Sequence, residues 1–563
     1  MITRRDFLTA TAATAILTGA SAGRLARLAA QQAITEAELL AFEPLGNVTL
    51  VHLTDLHAQL VPVHFREPSI NIGVGPAKGR VPHITGADFR RHFGIADKSP
   101  EAYALTYDDF TALAQAYGRM GGLDRIATVV KAIRAQRSPN MLLLDGGDTW
   151  TNSWTALQTK GQDMVDVMAG LKPDAMTGHW EFTLGDARVR ELTEVLGFPF
   201  LAQNVRDSEF EDRVFPARKM FERGGVKIAV IGQAFPFTPI ANPRWMFPKW
   251  TFGIREGDLQ KEVDDARAAG AGLVVLLSHN GFDVDAKLAE VVSGLDVILS
   301  GHTHDAIPEP IRIGKTLIVA TGSNGKFVSR LDLDVQDKAI KAYRYRLIPI
   351  FADAIKPDPD TAAIIERHRA PHAGDLARVL GKTETLLYRR GNFAGTLDNV
   401  ICDAILSQRD AEIALSPGIR WGTSLLPGQD ITFEDITNAT AMTYPACYRM
   451  TMDGRRLKDV LEDVADNLFN PDPFYQQGGD MVRTGGLGYA IDISKPIGQR
   501  ISDLSLLKTG ERLDPSKDYV VAGWASINQE AEGPPIWDVV SKHIEASKVV
   551  SPRETDAVKI VGL

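Results

Sequence analysis

Two histidines one residue apart directly follow an apolar run in the middle of the chain. The segment reads Asp296-Val-Ile-Leu-Ser-Gly-His302-Thr-His304. A β-branched apolar run with a glycine stop is typical of a buried strand. Side chains two residues apart point to the same side if the backbone stays extended beyond the strand. The pair therefore suits a metal ion, although a solvated turn remains open on this evidence alone.

Aspartate or histidine follows an apolar run at several other places in the chain. Together these residues form a set of seven candidate metal ligands: Asp55, His57, Asp148, His179, His279, His302 and His304. Carboxylates and imidazoles without a thiolate suit Mn²⁺, Zn²⁺ or Fe²⁺. Seven ligands exceed the needs of one ion and suit a bridged pair about 3.5–4 Å apart.

The elements that must position these residues alternate between strand and helix patterns. Strand patterns at 48–54, 141–144, 226–231, 273–277 and 297–299 are interleaved with helical patterns such as 121–137, 258–269 and 283–292. This alternation predicts an α/β layer fold. In such folds, loops at the carboxyl ends of strands carry the binding residues.

Length and composition indicate a globular protein of two domains. The 563 residues exceed one ordinary core, and the formal net charge of −9 argues against a nucleic-acid partner. Cys402 and Cys447 are the only cysteines, which excludes a disulfide framework, a zinc ribbon or an iron–sulfur cluster. We expect a catalytic domain at 45–350 with an insertion at 61–117, a linker helix within 351–380, and a second domain at 381–563.

The N-terminus resembles an export signal. Thr3-Arg4-Arg5-Asp6-Phe7-Leu8 precedes a short apolar stretch at 8–22, the pattern of a twin-arginine (Tat) signal. We expect residues 1–30 to be removed and the mature protein to lie in the periplasm. No later segment approaches the roughly 18 apolar residues of a membrane span.

The candidate ligands also occur within motifs. Asp55-x-His57, Gly147-Asp148, Gly178-His179-x-Glu181, His279 and Gly301-His302-x-His304 resemble, in order, the motif series of dinuclear metallophosphoesterases, in particular the 5′-nucleotidase family. The segments 399–404 and Gly418-Ile-Arg420 are similar to that family's second domain. The resemblance implies a four-layer αββα metallophosphoesterase-like sandwich plus a C-terminal α+β domain. It further implies that Asp55, His57 and His304 hold one ion, that Asp148 bridges, and that His179, His279 and His302 hold the other.

Several positions depart from the nucleotidase pattern. Where nucleotidases have Gly-Asn-His-Glu, this chain has His179 for the asparagine, Trp180 for the catalytic histidine and, beyond it, Thr183 for that histidine's aspartate partner. Trp421 follows Arg420, the nucleobase-stacking segment reads Tyr444-Pro-Ala-Cys-Tyr448, and the usual C-terminal Gly-Gly-Asp-Gly-Tyr is missing. The metal ligands are kept, but the nucleoside clamp is lost.

These departures are similar to one branch, the thiosulfohydrolases of the periplasmic sulfur-oxidation (Sox) system. That resemblance implies a two-Mn²⁺ enzyme that hydrolyses a cysteine S-sulfonate near the C-terminus of the SoxYZ carrier protein, releases sulfate, and works alongside other Sox components. A periplasmic 5′-nucleotidase or nucleotide-sugar hydrolase is the alternative enzyme. A binding or scaffold protein that kept the fold is the non-catalytic alternative.

Other residues receive more limited expectations. Arg420 is expected to clamp the sulfonate oxygens, with a surface ion pair as the alternative, and Arg389 and Arg390 are weaker candidates. Trp180 is expected to stand in place of a general acid, because a persulfide leaving group does not need protonation. The alternative is that Trp180 only packs against the wall of the site. His52 is expected in the core or behind a ligand. His64, His83 and His92 lie in the insertion and are expected to be loop residues rather than ligands. Three tyrosines of the insertion could shape a channel for a carrier peptide: Tyr103, Tyr107 and Tyr117.

Overall fold

The computed structural model of the chain describes residues 34–554 and 557–562. The predicted export signal at residues 1–30 lies outside the described residues. Within the described ranges, no helix combines the length and the apolar character needed to cross a membrane.

A five-stranded sheet is built around the first strand of the chain. From edge to edge its strands are Ala339–Pro349, Phe327–Gln336, Val48–Leu53, Met141–Asp145 and Ala175–Met176. The central strand pairs antiparallel with its neighbour on one side and parallel with Met141–Asp145 on the other. All six of its residues are buried, as its nearly continuous apolar sequence predicts for a sheet covered on both faces.

A six-stranded sheet faces the first one. Its strands in order are Ile311–Ile313, Thr316–Ala320, Val297–Ser300, Leu273–Ser278, Val226–Gln233 and Arg218–Arg223. The four inner strands are parallel and the two edge strands antiparallel. Leu50 and Leu144 of the first sheet pack against Val230 and Leu277 of the second in one buried apolar layer.

Helices cover the outer faces of both sheets. Leu123–Arg137, Gln162–Leu171 and Pro359–Arg369 pack together on the first sheet. Glu256–Ala268 and Phe282–Val291 cover the second sheet. The layers therefore run helix, sheet, sheet, helix, which confirms the predicted four-layer sandwich. The smaller elements of this half are Glu36–Leu40, Trp154–Thr159, Trp180–Leu184, Asp186–Val195, Thr238–Ala241, Arg244–Met246 and a ribbon of Arg206–Asp207 with Trp250–Thr251.

The linker helix that we predicted within 351–380 is divided. The structure has Pro359–Arg369, then a 3₁₀ turn at Ala370–His372 and a short helix at Ala373–Leu376. Pro371 explains the division, because proline has no N–H to donate and its ring clashes with the preceding turn. One continuous linker helix was therefore a wrong prediction.

The insertion at 61–117 contains more regular structure than its sequence suggested. It holds the helices Gly86–Phe93, Pro100–Leu105 and Phe110–Tyr117, and a 3₁₀ turn at Gly75–Ala77. The second helix begins at a proline, with the Ser99 side chain accepting from the backbone N–H of Ala102. This start signal is visible in the sequence, although the helix is too short to show a clear period.

The insertion also joins the two halves of the chain. The buried Lys326 ammonium donates to the carbonyls of Phe65 (3.2 Å) and Ala104 (2.9 Å) and pairs with Glu67 at 2.5 Å. On the other side, the backbone N–H of Ser424 donates to the carbonyl of His64 at 2.7 Å. The insertion is therefore anchored to both halves.

The C-terminal half contains three small sheets and four longer helices. The sheets are Asp430–Thr432, Val379–Thr383 and Val549–Val550; Tyr448–Asp453, Asp518–Gly523, Ile413–Gly418 and Asp480–Gly485; and Ile501–Leu506, Leu487–Asp492 and Val558–Val561. The helices are Thr396–Arg409, Phe433–Thr440, Gly454–Phe469 and Ile536–Ser547, with a 3₁₀ turn at Pro473–Tyr475. This mixed α+β half confirms the predicted fold class, while the boundaries at 350 and 381 stay a prediction.

Candidate metal centre

The turns that follow the strands aim the candidate ligands at one place. Positive φ angles occur at Asp55 (52°), His57 (47°), Asp148 (56°), His302 (78°) and His304 (61°). Residues other than glycine rarely adopt this left-handed conformation, and such positions cluster at functional sites. The chain therefore turns sharply as each of these strands ends.

All seven candidate ligands come together in two buried groups. One candidate ligand atom from each of four residues lies within 4.8 Å of the others in each group; the groups are Asp148, His179, His279 and His302, and Asp55, His57, Asp148 and His304. Asp148 belongs to both groups. The structure therefore brings together the same residues that the family resemblance placed around each ion, while their role as ligands stays a prediction.

The two carboxylates lie among the imidazole nitrogens. Asp148 Oδ2 is 3.2 Å from His179 Nδ1 and 3.0 Å from His279 Nε2. Asp55 Oδ1 is 3.3 Å from His304 Nε2, which is itself 3.0 Å from His57 Nε2. Nitrogens this close can serve as ligands of one ion, because a cation beside them would attract the lone pair that each neutral ring can present.

Groups outside the cluster fix the orientation of three rings. His57 Nδ1 donates to Asn152 Oδ1 (3.1 Å), His279 Nδ1 to the Gly146 carbonyl (2.7 Å), and His302 Nε2 to the Gln477 carbonyl (2.8 Å). The protons are assigned to these nitrogens because the partner oxygens only accept. When neutral, each ring keeps a lone pair on its other nitrogen, which is the usual arrangement of metal-binding histidines.

The cluster combines neutral imidazoles with ionised carboxylates. Burial lowers the pKa of His57, His179, His302 and His304, so these rings are neutral near pH 7. Burial works against ionisation of both aspartates, but the surrounding histidines hold the pKa values of these two carboxyls below the usual range.

His279 behaves differently from the other four rings. Burial disfavours its cation, but the charges of Asp148 and Asp55 outweigh this effect and raise the pKa of His279 to about 10. Buried carboxylates require a positive partner, and here the protonated His279 supplies it. A bound metal ion would take over this role and displace the proton. The donor set therefore fits two divalent ions.

Glu181 supports the cluster from behind, a role that its place in a motif did not reveal. Its carboxylate is fully buried and accepts from the backbone N–H groups of Thr149 (2.6 Å) and His179 (2.7 Å). It thereby ties the loop of Asp148 to the loop of His179. The backbone N–H of Trp180 adds a 2.8 Å hydrogen bond to Asp148 Oδ1.

A cavity of about 390 Å³ opens above the cluster. Phe235 and three further aromatic side chains line it. Of these three, Trp180 lies edge-on to Trp421, with centroids 4.9 Å apart, and parallel to Tyr444 at 6.0 Å. A base held between two rings needs about 7 Å between their planes, twice the carbon contact distance of about 3.5 Å. The centroid distance is an upper limit on the plane spacing, so Trp180 and Tyr444 cannot sandwich a nucleobase in this arrangement.

Arg420 lines the same cavity and is held by the turn that carries two ligands. Its Nη2 donates to the His302 carbonyl at 2.7 Å and its Nη1 to the Thr303 carbonyl at 3.2 Å. Arg389 is engaged elsewhere, donating to Asp398 at 2.8 Å, and Arg390 lies 3.5 Å from the Thr303 carbonyl. Neither of these two lines the cavity.

The remaining histidines singled out in the sequence lie outside both ligand groups. His52 is fully buried, with Nδ1 2.7 Å from Thr321 Oγ1. His83 Nε2 lies 2.9 Å from Asp283, which joins the insertion to the helix Phe282–Val291. His64 Nδ1 lies 3.3 Å from the Tyr103 hydroxyl within the insertion.

Comparisons with known proteins cover nearly the whole described chain. The family model "5′-nucleotidase, C-terminal domain" matches residues 379–539. A solved structure of a sulfate thiohydrolase SoxB from Thermus thermophilus in complex with glycerol superposes with a TM-score of 0.90 at 38% identity, covering 93% of this chain and 98% of that one. A 5′-nucleotidase precursor, also from Thermus thermophilus, gives a TM-score of 0.72 at 22% identity over 92% of this chain and 100% of that one, which shows the fold. Human 5′-nucleotidase is 25% identical over 460 residues, 73% of this chain and 77% of that protein.

Proposed function

We propose, because this chain belongs to the SoxB family within the 5′-nucleotidase superfamily of hydrolases, that it is a thiosulfohydrolase. Its substrate would be a cysteine S-sulfonate of the S-thiosulfonate type (–S–S–SO₃⁻) on a SoxYZ-type carrier protein, and its product sulfate. The observation that carries the proposal is the pairing of the two ligand groups with a cavity whose parallel rings, Trp180 and Tyr444, lie too close together to hold a base between them.

The proposed reaction balances as a hydrolysis. A water oxygen forms a bond to the sulfonate sulfur, and the bond from that sulfur to the carrier's sulfur breaks. The outer sulfur of the carrier leaves with the electron pair as a persulfide anion, the sulfonate becomes sulfate, and the protons of the water pass to solvent. No oxidant or reductant is consumed.

The proposed cofactor is a pair of divalent cations, with Mn²⁺ as the first candidate and Zn²⁺ or Fe²⁺ behind it. Asp55, His57 and His304 would hold one ion and His179, His279 and His302 the other, with Asp148 shared. When bound, such a pair lowers the pKa of a water and polarises an anionic tetrahedral group.

The chain's own residues would bind and orient the substrate. Arg420 presents a planar, multiply donating cation from the cavity wall, which suits the three oxygens of a sulfonate. Its hydrogen bonds to the His302 and Thr303 carbonyls keep it in place before substrate arrives. Fixing the donor in advance removes the cost of ordering it during the reaction.

Trp180 occupies the position where nucleotidases carry an acidic histidine. An alkoxide that leaves a phosphate ester benefits from a proton donor, whereas a persulfide sulfur is stable as an anion. The Trp180 ring would therefore exclude water and contact the substrate sulfur, while its backbone N–H orients the shared carboxylate of Asp148.

The export pathway and the partners belong to the same proposal. A Tat signal at residues 1–30 would deliver the folded protein to the periplasm, where a Sox carrier presents its cysteine arm. Support comes from the Arg4-Arg5 motif and from the likeness to the SoxB structure.

A direct substrate comparison tests this function. Mn²⁺-loaded protein is assayed for sulfate release from S-sulfonated carrier and for phosphate release from AMP, with the Asp148→Asn variant as a control for metal-dependent turnover. We expect sulfate from the carrier and at most trace phosphate from AMP. Hydrolysis of AMP alone would select the nucleotidase, and the absence of both products would favour a non-catalytic protein.

A further inference from the structure

A loop of the C-terminal half contacts one of the candidate ligands directly. The Gln477 carbonyl accepts from His302 Nε2 at 2.8 Å, across 175 positions of sequence. The next residue, Gly478, lies so close to the ring that an added Cβ would stand 2.7 Å from the same nitrogen. Gln477 therefore supplies a hydrogen-bond acceptor to the His302 ring, and Gly478 packs against the same edge of the ring.

We propose that Gln477-Gly478 is a positioning element that sets the tautomer and the orientation of His302 in the metal centre. This proposal rests on the two-ion centre of the proposed function. The His302 half of the centre would be complete only when this loop of the C-terminal half is seated on it.

The chemistry of the contact carries the argument. A peptide carbonyl cannot donate, so the 2.8 Å contact holds the proton on Nε2 and leaves the lone pair of the neutral ring on Nδ1. Outer partners of this kind raise ligand basicity and fix ring orientation. The outer partners of His57 and His279 lie in the N-terminal half, whereas that of His302 lies in the C-terminal half.

The same half of the protein also holds His302 by its backbone. Arg420 donates to the His302 carbonyl at 2.7 Å, so the residue is held both at its ring and at its peptide group. In addition, Trp421 packs over the ring of His57, with centroids 5.2 Å apart. The second ligand group therefore has a supporting contact from the C-terminal half as well.

Glycine is required at 478 for two separable reasons. Its φ is +71°, which disfavours any residue with a Cβ, and its Cα lies against His302. Gly479 shares only the first property, since its φ is +86° but an added Cβ would meet nothing closer than the Gly418 carbonyl at 3.9 Å. The pair Gly478→Ala and Gly479→Ala therefore separates backbone strain from displacement of the ligand.

The experiment measures Mn²⁺ stoichiometry and affinity by metal analysis and calorimetry on the full mature chain. Wild type is expected to bind two equivalents. Gly478→Ala is expected to keep one equivalent and to bind the second about 10- to 100-fold more weakly, the usual loss when an outer partner of a ligand is removed. Gly479→Ala is expected to bind like wild type. Anomalous diffraction at the manganese edge should locate the weakened ion beside His302.

A second variant keeps the test decisive if Gly478→Ala does not fold. The Gln477 side chain donates to Asn467 Oδ1 at 2.8 Å, so Asn467→Ala loosens the loop without adding a clash. A smaller weakening of the same ion is expected. Wild-type affinity for both ions in Gly478→Ala, or equal losses in both glycine variants, would overturn the positioning role. If wild type binds two ions but releases no sulfate, the proposed function is wrong and the positioning role of Gln477-Gly478 is unaffected.

Discussion

Replacing Arg420 with alanine tests whether this cation acts on the substrate. Its guanidinium has five N–H donors, of which two are used on the carbonyls of His302 and Thr303. The others remain for sulfonate oxygens in the cavity. Removing one fixed donor to developing charge costs about 2.7–4 kcal/mol. At about 1.36 kcal/mol per tenfold change in rate, we expect a loss of roughly 100- to 1,000-fold in kcat/KM.

The assay follows sulfate release from S-sulfonated carrier, with metal content measured on each sample. Arg449→Ala is the matched control, because Arg449 also donates to backbone carbonyls in the C-terminal half, those of Arg409 and Asp410, but on an exposed strand. It should retain full activity. Activity of Arg420→Ala within about threefold of wild type, at full metal content, would refute the reasoning. Loss of metal in Arg420→Ala would instead indicate that Arg420 acts by positioning His302.

Three further changes have defined outcomes. Trp180→His restores a proton donor, so we expect the ratio of AMP to S-sulfonate hydrolysis to rise, and an unchanged ratio would count against the leaving-group argument. Lys326→Met leaves the buried Glu67 with Arg390 alone, whose Nε lies 3.7 Å away, so it should lower the free energy of unfolding in urea by up to about 3–5 kcal/mol; an unchanged free energy would contradict this role of the ion pair. Burial opposes charging of His83, but its hydrogen bond to Asp283 and that carboxylate's charge outweigh the effect and raise the pKa of His83 above 6.5. The stabilisation is therefore full below the unfolded pKa and is lost as pH rises through the folded one, so the urea midpoints of wild type and His83→Gln should converge at alkaline pH; a constant gap would contradict this.

The convergence of the candidate ligands could be predicted from sequence because it obeys a local rule. Each of Asp55, Asp148, His279 and His302 follows a strand within a few residues, and parallel strands present their carboxyl ends at one edge of a sheet. Strand patterns built from long apolar runs are also the clearest signal in a buried α/β sheet. The order of the motifs then supplied the division into two groups.

The supporting contacts could not be predicted in the same way. No local pattern links Gln477 to His302, since the contact depends on how the two halves pack. Glu181 stood within a motif, but its hydrogen bonds to neighbouring loops depend on backbone geometry that spacing does not encode. By contrast, Pro371 was a visible helix breaker, and Ser99-Pro100 was a visible helix start within the insertion.

Each ligand group draws residues from the ends of both sheets. Asp148 and His179 follow strands of the five-stranded sheet, and they meet His279 and His302 from the six-stranded one; in the other group, His304 comes from the six-stranded sheet. Ions bound there would therefore cross-link the two sheets at one end of the sandwich, in addition to taking part in the reaction. Chelation should loosen that rim, so the melting temperature would report metal loading even when no substrate is present.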